Sequence, residues 1–516
     1  MKNFLDKLFY SKASILTITA LTSICLLISY GARFGNVFID NTLFSGFSLI
    51  LFILAILDTI FLTASVILKM KNSNIFSIKI FKIAQIISIL FAFIFIVINL
   101  GTLAVSGTES TLVAFRLMKK ALPFWAAINA LCIALFIMPN MKNKNIKKIL
   151  AGTMAVIMII AVYGALFPTT QFKFTSTPAV FDTGKNYSIV FSTNDIATAY
   201  VEFNYNGKEM KIYNEDNGRK NGDSIIHTIQ VPYEQLSGNA YKVCATRVID
   251  ELSYGGRTGK TIESDFIEFN DTFGEDINIL TISDWHTKND LAQRTISYLG
   301  NYNAVILLGD CAPGLMVPEE VAEYLIKFAG NVSGGTMPII FARGNHETRG
   351  REAVKLSTYL GMESFYYTTK LGNYNFIVLD SGEDKKDDHS EYGGMVVYEQ
   401  NREKMVSWLS SLKNTDTEKT IAISHDKNIC LEEELSTTAI TKLESLNTSL
   451  LLSGHYHSTE YFENDFPYPV LIDGGVDAAG KGTYVASMIS INNDKIDIHS
   501  VDSNGNTTIK ENILWN

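Results

Sequence analysis

Disulfide bonds do not hold this chain together: its 516 residues contain five cysteines, at no framework spacing. Cys25 and Cys132 lie in apolar runs, and an odd number, Cys244, Cys311 and Cys430, lie in the more polar remainder. Acidic residues are scarce at one end. Residues 1–168 hold four Asp and Glu against fifteen Lys and Arg, whereas the remainder holds 49 against 29. The net charge of −9 thus conceals a basic part followed by a strongly acidic one. The first apolar run also lacks a small-x-small site, and more runs follow it, which argues against a cleaved leader. At this length a single core is excluded and two or three domains are expected.

Basic loops around apolar runs, followed by an acidic part, predict a membrane anchor carrying a water-soluble unit. Five runs, at 13–30, 47–68, 83–105, 121–139 and 149–167, approach the ~20 apolar residues that span a bilayer. Lysine clusters at 2–12, 69–82 and 142–148 share one side in a five-span arrangement, and that side is expected to be cytoplasmic. Arg116, Lys119 and Lys120 fall on the other side, the one discordant group. The expected partner is the lipid bilayer, the expected location the cell membrane as a multi-pass protein, with the remainder outside the cell. Asp58, within the second run, is read as a hydrogen-bonded packing residue, since no second acid accompanies it. No nucleic-acid-binding signal is present.

The chain has eight histidines, and five fall where a strand-like run meets a loop. Residues 279–283 end in Asp284-Trp285-His286, and residues 304–308 in Gly309-Asp310. Residues 337–341 lead into Ala342-Arg343-Gly344-Asn345-His346-Glu347. Residues 420–424 end in His425, and residues 449–453 in Gly454-His455-Tyr456-His457. Strand ends of this kind are where open α/β sheets build their sites. Carboxylate, amide oxygen and neutral imidazole suit Mn, Fe or Zn, and the set suits two metal ions sharing one carboxylate.

This pattern resembles the calcineurin-like metallophosphoesterase superfamily, whose five blocks D-x-H, G-D, G-N-H-[DE], H and G-H-x-H stand here in order between Asp284 and His457. The resemblance implies a sandwich of two β-sheets flanked by helices, in four layers. It implies that Asp284, His286 and His457 hold one divalent metal, that Asp310 bridges, and that Asn345, His425 and His455 complete the second site. It further implies that His346 is the acid and transition-state stabiliser, with Glu347 orienting it.

Residues 169–272 read differently. Short β-branched and aromatic runs at 186–191, 199–205, 209–213, 224–231, 240–248 and 264–269 are punctuated by Asn206-Gly207, Asn217-Gly218 and Asn221-Gly222. That texture predicts an immunoglobulin- or fibronectin-like β-sandwich, an arrangement similar to the one preceding the catalytic domain of purple acid phosphatases. The resemblance to that family stops there. Its first block is D-x-G, where this chain has His286, and its iron-binding tyrosine position is occupied by Pro313. An ordinary dinuclear site is therefore expected.

Helices are expected over 318–329 and 399–412, the second facing inward with Met405, Trp408, Leu409 and Leu412. The acidic stretch 382–389 reads as a solvated loop, with His389 placed to reach a substrate. Arg343, Arg349 and Arg351 flank the central block and suit bidentate phosphate binding. The domain reading is a membrane domain over 1–168, a sandwich over 169–272 and a metallophosphoesterase domain over 273–516. The functional reading is a membrane-anchored hydrolase of phosphate mono- or diesters outside the cell, its substrate envelope-associated by proximity. The alternative is a membrane sensor whose metal domain binds a phosphorylated ligand without turnover.

Overall fold

The computed structural model describes residues 171–515, apart from 253–254, 275, 414–418 and 477–480, together with residues 145, 146, 149, 152, 153 and 156. The chain divides into two compact units, Met1–Gln171 and Phe172–Asn516. The expected transmembrane helical bundle requires correction. Among the described residues, no helix is long and apolar enough to cross a membrane. The runs at 13–30, 47–68, 83–105 and 121–139, Asp58 included, lie outside the described residues, and the run at 149–167 is described only at four helical positions. Apolar composition makes a segment eligible to span; it does not make it a helix of spanning length.

The second unit opens with β1 (Ala179–Asp182), β2 (Tyr187–Ser192), β3 (Ala197–Tyr205) and β4 (Lys208–Tyr213). A small hairpin of β5 (Glu215–Asp216) and β6 (Arg219–Lys220) follows, then β7 (Ile226–Val231), β8 (Ala240–Leu252), β9 (Gly255–Glu263) and β10 (Ile267–Glu268). Asn206 and Gly207, at φ 52° and 75°, make the two-residue turn between β3 and β4. Right-twisted antiparallel strands favour that geometry, and Asn-Gly reaches positive φ at low cost.

The sandwich takes a different form from the one expected. β3, β4, β8, β9 and β10 make one antiparallel sheet, but β1, β2 and β7 belong to a nine-stranded sheet that runs on into the rest of the unit. β1 pairs in parallel with β13 (Pro338–Phe341), Val180 opposite Pro338 and Phe181 opposite Ile339. Val180, Ile189 and Phe191 pack against Val201, Phe203 and Val243 of the five-stranded sheet. The two-sheet packing is present, but one sheet is shared.

The remaining strands complete the nine-stranded sheet and build a third. They are β11 (Ile277–Ile282), β12 (Ala304–Leu307), β13, β14 (Tyr367–Leu371), β15 (Tyr374–Leu379), β16 (Lys419–Ser424) and β17 (Thr448–Ser453). After them come β18 (Glu460–Phe462), β19 (Val470–Ile472), β20 (Val485–Ile491), β21 (Lys495–Asp502) and β22 (Thr507–Leu514). The nine-stranded order is β22-β21-β20-β11-β12-β13-β1-β2-β7, and the six-stranded order β14-β15-β16-β17-β19-β18. β11, β12 and β13 run parallel, as do β15, β16 and β17. Their Ala-Val-Ile-Leu and Pro-Ile-Ile-Phe sequences are buried throughout, as parallel strands covered on both faces must be.

Ile279, Ile306 and Phe341 of the first sheet share a core with Phe376, Ile421 and Leu450 of the second. Outside the second sheet, helices Tyr398–Ser411 and Glu433–Ser445 bring Met405, Leu409 and Leu443 onto Ile377, Ala422 and Leu451. Helix Asn289–Ile296 and a helical run from Pro318 to Ser333 pack into the first core through Ile296, Leu325 and Phe328. The layered α/β fold that the resemblance implies is thus present.

Candidate metal centre

The loops leaving β11, β12, β13, β16 and β17 converge, and they carry all seven proposed ligands. Asp284, His286, Asp310 and His457 bring ligand atoms within 4.8 Å of one another, and Asp310, His425 and His455 do the same. Asp310 belongs to both groups. Its Oδ2 lies 3.4 Å from His425 Nε2, 3.8 Å from His286 Nε2 and 3.9 Å from His346 Nε2. Asn345 joins the second group, its Oδ1 3.1 Å from His455 Nδ1.

The backbone at these positions is unusual. Asp284, His286, Asp310, His455 and His457 all sit at positive φ, between 35° and 72°. Non-glycine residues in the left-handed region carry strain that the surrounding structure must overcome, and such residues cluster at functional sites. The overcoming contacts are visible. The His286 N–H donates to Asp310 O (3.1 Å), and the His455 N–H to Asp284 Oδ2 (2.9 Å). The indole of Trp285, fully buried and stacked on Phe328 at 4.6 Å, donates to Tyr324 O. Tyr324 lies in a π-helical stretch, Val321–Ile326, which leaves carbonyls for outside donors.

Two glycines are dictated by close approach. A Cβ at Gly344 would collide with Asp310 and the Glu347 carboxylate, and one at Gly454 with Ser283. Glu347 has a role the sequence did not disclose. Its buried carboxylate accepts the backbone N–H of Asp310 (2.8 Å), Cys311 (2.6 Å) and Gly344 (2.8 Å), stapling the loops after β12 and β13. The orientation of His346 falls instead to Pro313 and Arg349. His346 Nδ1 faces the Pro313 carbonyl at 2.9 Å and therefore donates, leaving Nε2 to accept from Arg349 Nη1 at 3.0 Å.

The donor set fits divalent cations. Among the described residues, Asp284 Oδ1, both ring nitrogens of His286 and Nε2 of His425 are buried without a hydrogen-bond partner. Orphaned polar atoms in such number are rare in folded proteins and call for an ion. His425 Nδ1 donates to Leu308 O at 2.6 Å, which orients the ring and turns Nε2 toward Asp310. Titration behaviour fits as well. Burial pushes His286 down to about 4, while at His425 burial is outweighed by Asp310 and the ring is raised to about 10. Burial would raise Asp310, but His425, His346 and His286 together hold its carboxyl far below the carboxylate range.

Several side chains lie elsewhere than expected. Arg343 forks onto Asp380 (3.1 and 2.6 Å) and lies over Phe365, so its guanidinium serves packing. His389 belongs to neither ligand group; its Nδ1 accepts the Glu391 N–H at the start of a short 3-10 turn. Cys244, Cys311 and Cys430 are free and buried. Within the acidic stretch read as solvated, Glu383 is 3% exposed. It accepts from Arg349 Nε (2.8 Å) and Nη2 (2.9 Å), from Thr348 Oγ1 (2.8 Å) and from the Tyr392 hydroxyl (3.1 Å). The available signal was its position just past the end of β15.

Residues 277–459 match the family model described as calcineurin-like phosphoesterase. No curated protein sequence matches the chain. Among solved structures, the chain is similar to a purple acid phosphatase from yellow lupin (Lupinus luteus) seeds, with 13% identity and a TM-score of 0.45 over 65% of this chain and 74% of that one. A dimetal phosphatase from Danio rerio shares 14% identity, with a TM-score of 0.36 over 46% of this chain and 99% of that one. PhoD shares 9% identity, with a TM-score of 0.40 over 66% and 94%.

Proposed function

We propose that residues 277–459, which match the calcineurin-like phosphoesterase model, act as a metal-dependent phosphoesterase, and that the chain hydrolyses phosphate mono- or diesters at a dinuclear centre. The observation that carries the number two is the sharing of Asp310 between two ligand groups. Asp284, His286 and His457 would hold one cation, Asn345, His425 and His455 the other, and Asp310 both. Bound there, divalent cations such as Mn, Fe or Zn would make hydroxide available at neutral pH and offset the phosphate charge.

The chain's own residues do the rest. His346 Nε2 lies 3.9 Å from Asp310 Oδ2, the carboxylate that both ligand groups share, and would stand near the leaving oxygen of an ester held there. For Nε2 to deliver a proton to that oxygen, Arg349 Nη1, which here donates to Nε2, would turn from it toward the phosphate, while the Pro313 carbonyl holds the ring through Nδ1. An open cleft beside the second ligand group is lined by Asn345, His425 and His455 together with Glu383, Asp426 and Leu431. It offers the ester's alcohol portion a wall that is part polar and part apolar.

The test uses the purified full chain, stripped of metal and reloaded with Mn, on p-nitrophenyl phosphate and bis-p-nitrophenyl phosphate. Turnover above an Asp310→Ala blank is expected, and the preferred compound separates monoesterase from diesterase. A wild-type protein with two cations bound and no turnover of either compound overturns the reading.

A further inference from the structure

Three arginines flank the central ligand loop, and they differ in what holds them. Arg343 is engaged on both edges by Asp380 and by aromatic faces. Arg351 lies one turn further on, in the 3-10 segment Arg351–Lys355. Arg349 is aimed at the centre. Nε and Nη2 fork onto the two oxygens of Glu383, and Nη1 lies 3.0 Å from His346 Nε2, one imidazole away from Asp310.

On the phosphoesterase reading above, we propose that Arg349 grips the phosphoryl group of the substrate and that Glu383 is the positioning residue that holds Arg349 in place. A guanidinium carries five N–H groups. Two are taken by Glu383 and one by His346, and Asp384 Oδ1 stands 3.7 Å from Nη2, beyond hydrogen-bond reach, which leaves two for a phosphate oxygen pair, the geometry in which arginine binds phosphate best. Glu383 is built for the task. Its carboxylate is buried, Thr348 and Tyr392 fill its remaining acceptor sites, and Arg402 Nη1 lies 3.3 Å from its carbonyl oxygen. It also lines the same cleft as Asn345, His425 and His455, so the residue that fixes Arg349 forms the wall a bound phosphate ester would touch. Arg349 itself keeps a side chain 32% exposed, open to an incoming anion. The pair joins a part-exposed guanidinium to a buried carboxylate, so removing either partner leaves the other uncompensated. Its value lies in fixing a flexible cation before substrate arrives, which lowers the cost of binding.

The experiment measures equilibrium binding of inorganic phosphate to the metal-loaded full chain, for wild type, Arg349→Gln, Arg349→Lys, Glu383→Gln and the Arg349→Gln/Glu383→Gln double variant. Arg349→Gln is expected to raise the phosphate dissociation constant about tenfold or more, the worth of a charged hydrogen bond, with metal content unchanged. Arg349→Lys should recover part of the loss, because a point charge cannot supply the fork. Glu383→Gln keeps the shape but not the charge, and should weaken phosphate less than the loss of Arg349 while leaving metal content intact. If Arg349→Gln fails to fold because Glu383 is stranded, the double variant carries the same expectation with no buried charge left over. Wild-type phosphate binding in the fully loaded Arg349 variants overturns the proposal, as does a loaded wild type that binds no phosphate. Phosphate binding that depends on Arg349 in a protein that turns over no ester would instead overturn the phosphoesterase reading and leave the grip standing.

Discussion

Asp473 lies fully buried just past β19, its carboxylate accepting from Thr281 Oγ1 (2.7 Å) and Ser487 Oγ (2.9 Å). Burial pushes its pKa up to about 8 against those hydrogen bonds, and Asp284 adds to the rise. The folded state therefore holds this proton more tightly than the unfolded chain. Its contribution to stability is full below the ordinary Asp range near 4 and is lost as pH climbs toward 8. Melting temperature of the metal-stripped protein should fall over that window, and Asp473→Asn should flatten the slope; an unchanged slope would assign it to another group. Nothing in the sequence marks Asp473, because its burial depends on Thr281 and Ser487, 192 and 14 positions away. The ligands were legible for the opposite reason. Each follows an apolar run that can only be a buried strand, so its place at a sheet edge is local information. Glu347 shows where that ends: adjacency to His346 suggested a partner, but its carboxylate turns back onto the backbone N–H groups of Asp310, Cys311 and Gly344.

The ligand loops are short, and their left-handed residues leave them little freedom to relax. Gly344 is a tight point, because a Cβ there meets the Asp310 carboxylate that both ligand groups share. Gly344→Ala should displace Asp310 and cost about 10²-fold in kcat/KM, the usual penalty for a misplaced catalytic group, with a far smaller loss of thermal stability. An alanine variant of wild-type activity would show that the loop can move. Strands with alternating or wholly apolar sequence were legible in advance, β2, β3, β4, β7 and β8 among them. β9 was not, since Gly255, Gly256 and Gly259 make its sequence polar and small, and only pairing with β8 makes it a strand. The run at 264–269 shortens to the two-residue β10 at the end of the same sheet.

At the scale of the whole unit, the sheet shared by β1, β2 and β7 with β11, β12 and β13 joins what the sequence divides at 272. Turn signals and strand lengths describe each strand; which sheet a strand joins is decided by long-range pairing and stays hidden. Phe181 of β1 meets Phe341 of β13 edge-on with ring centres 6.3 Å apart, and Phe341 leads straight into the Gly344–Asn345 loop. Phe181→Ala should therefore destabilise by about 3–5 kcal/mol, as buried aromatic truncation does, and should weaken metal binding as well. Denaturant unfolding followed together with metal retention checks both, and a variant that loses stability while holding its metals as wild type does would show the two regions to be uncoupled. The stacking of Trp285 on Phe328, between ligands Asp284 and His286, gives the same unit an optical property. Of the described tryptophans it alone stands among the ligands, so a quenching cation bound there would darken its emission and a closed-shell one would leave it bright. Beside the candidate metal centre stands a lamp that would tell one kind of occupant from another.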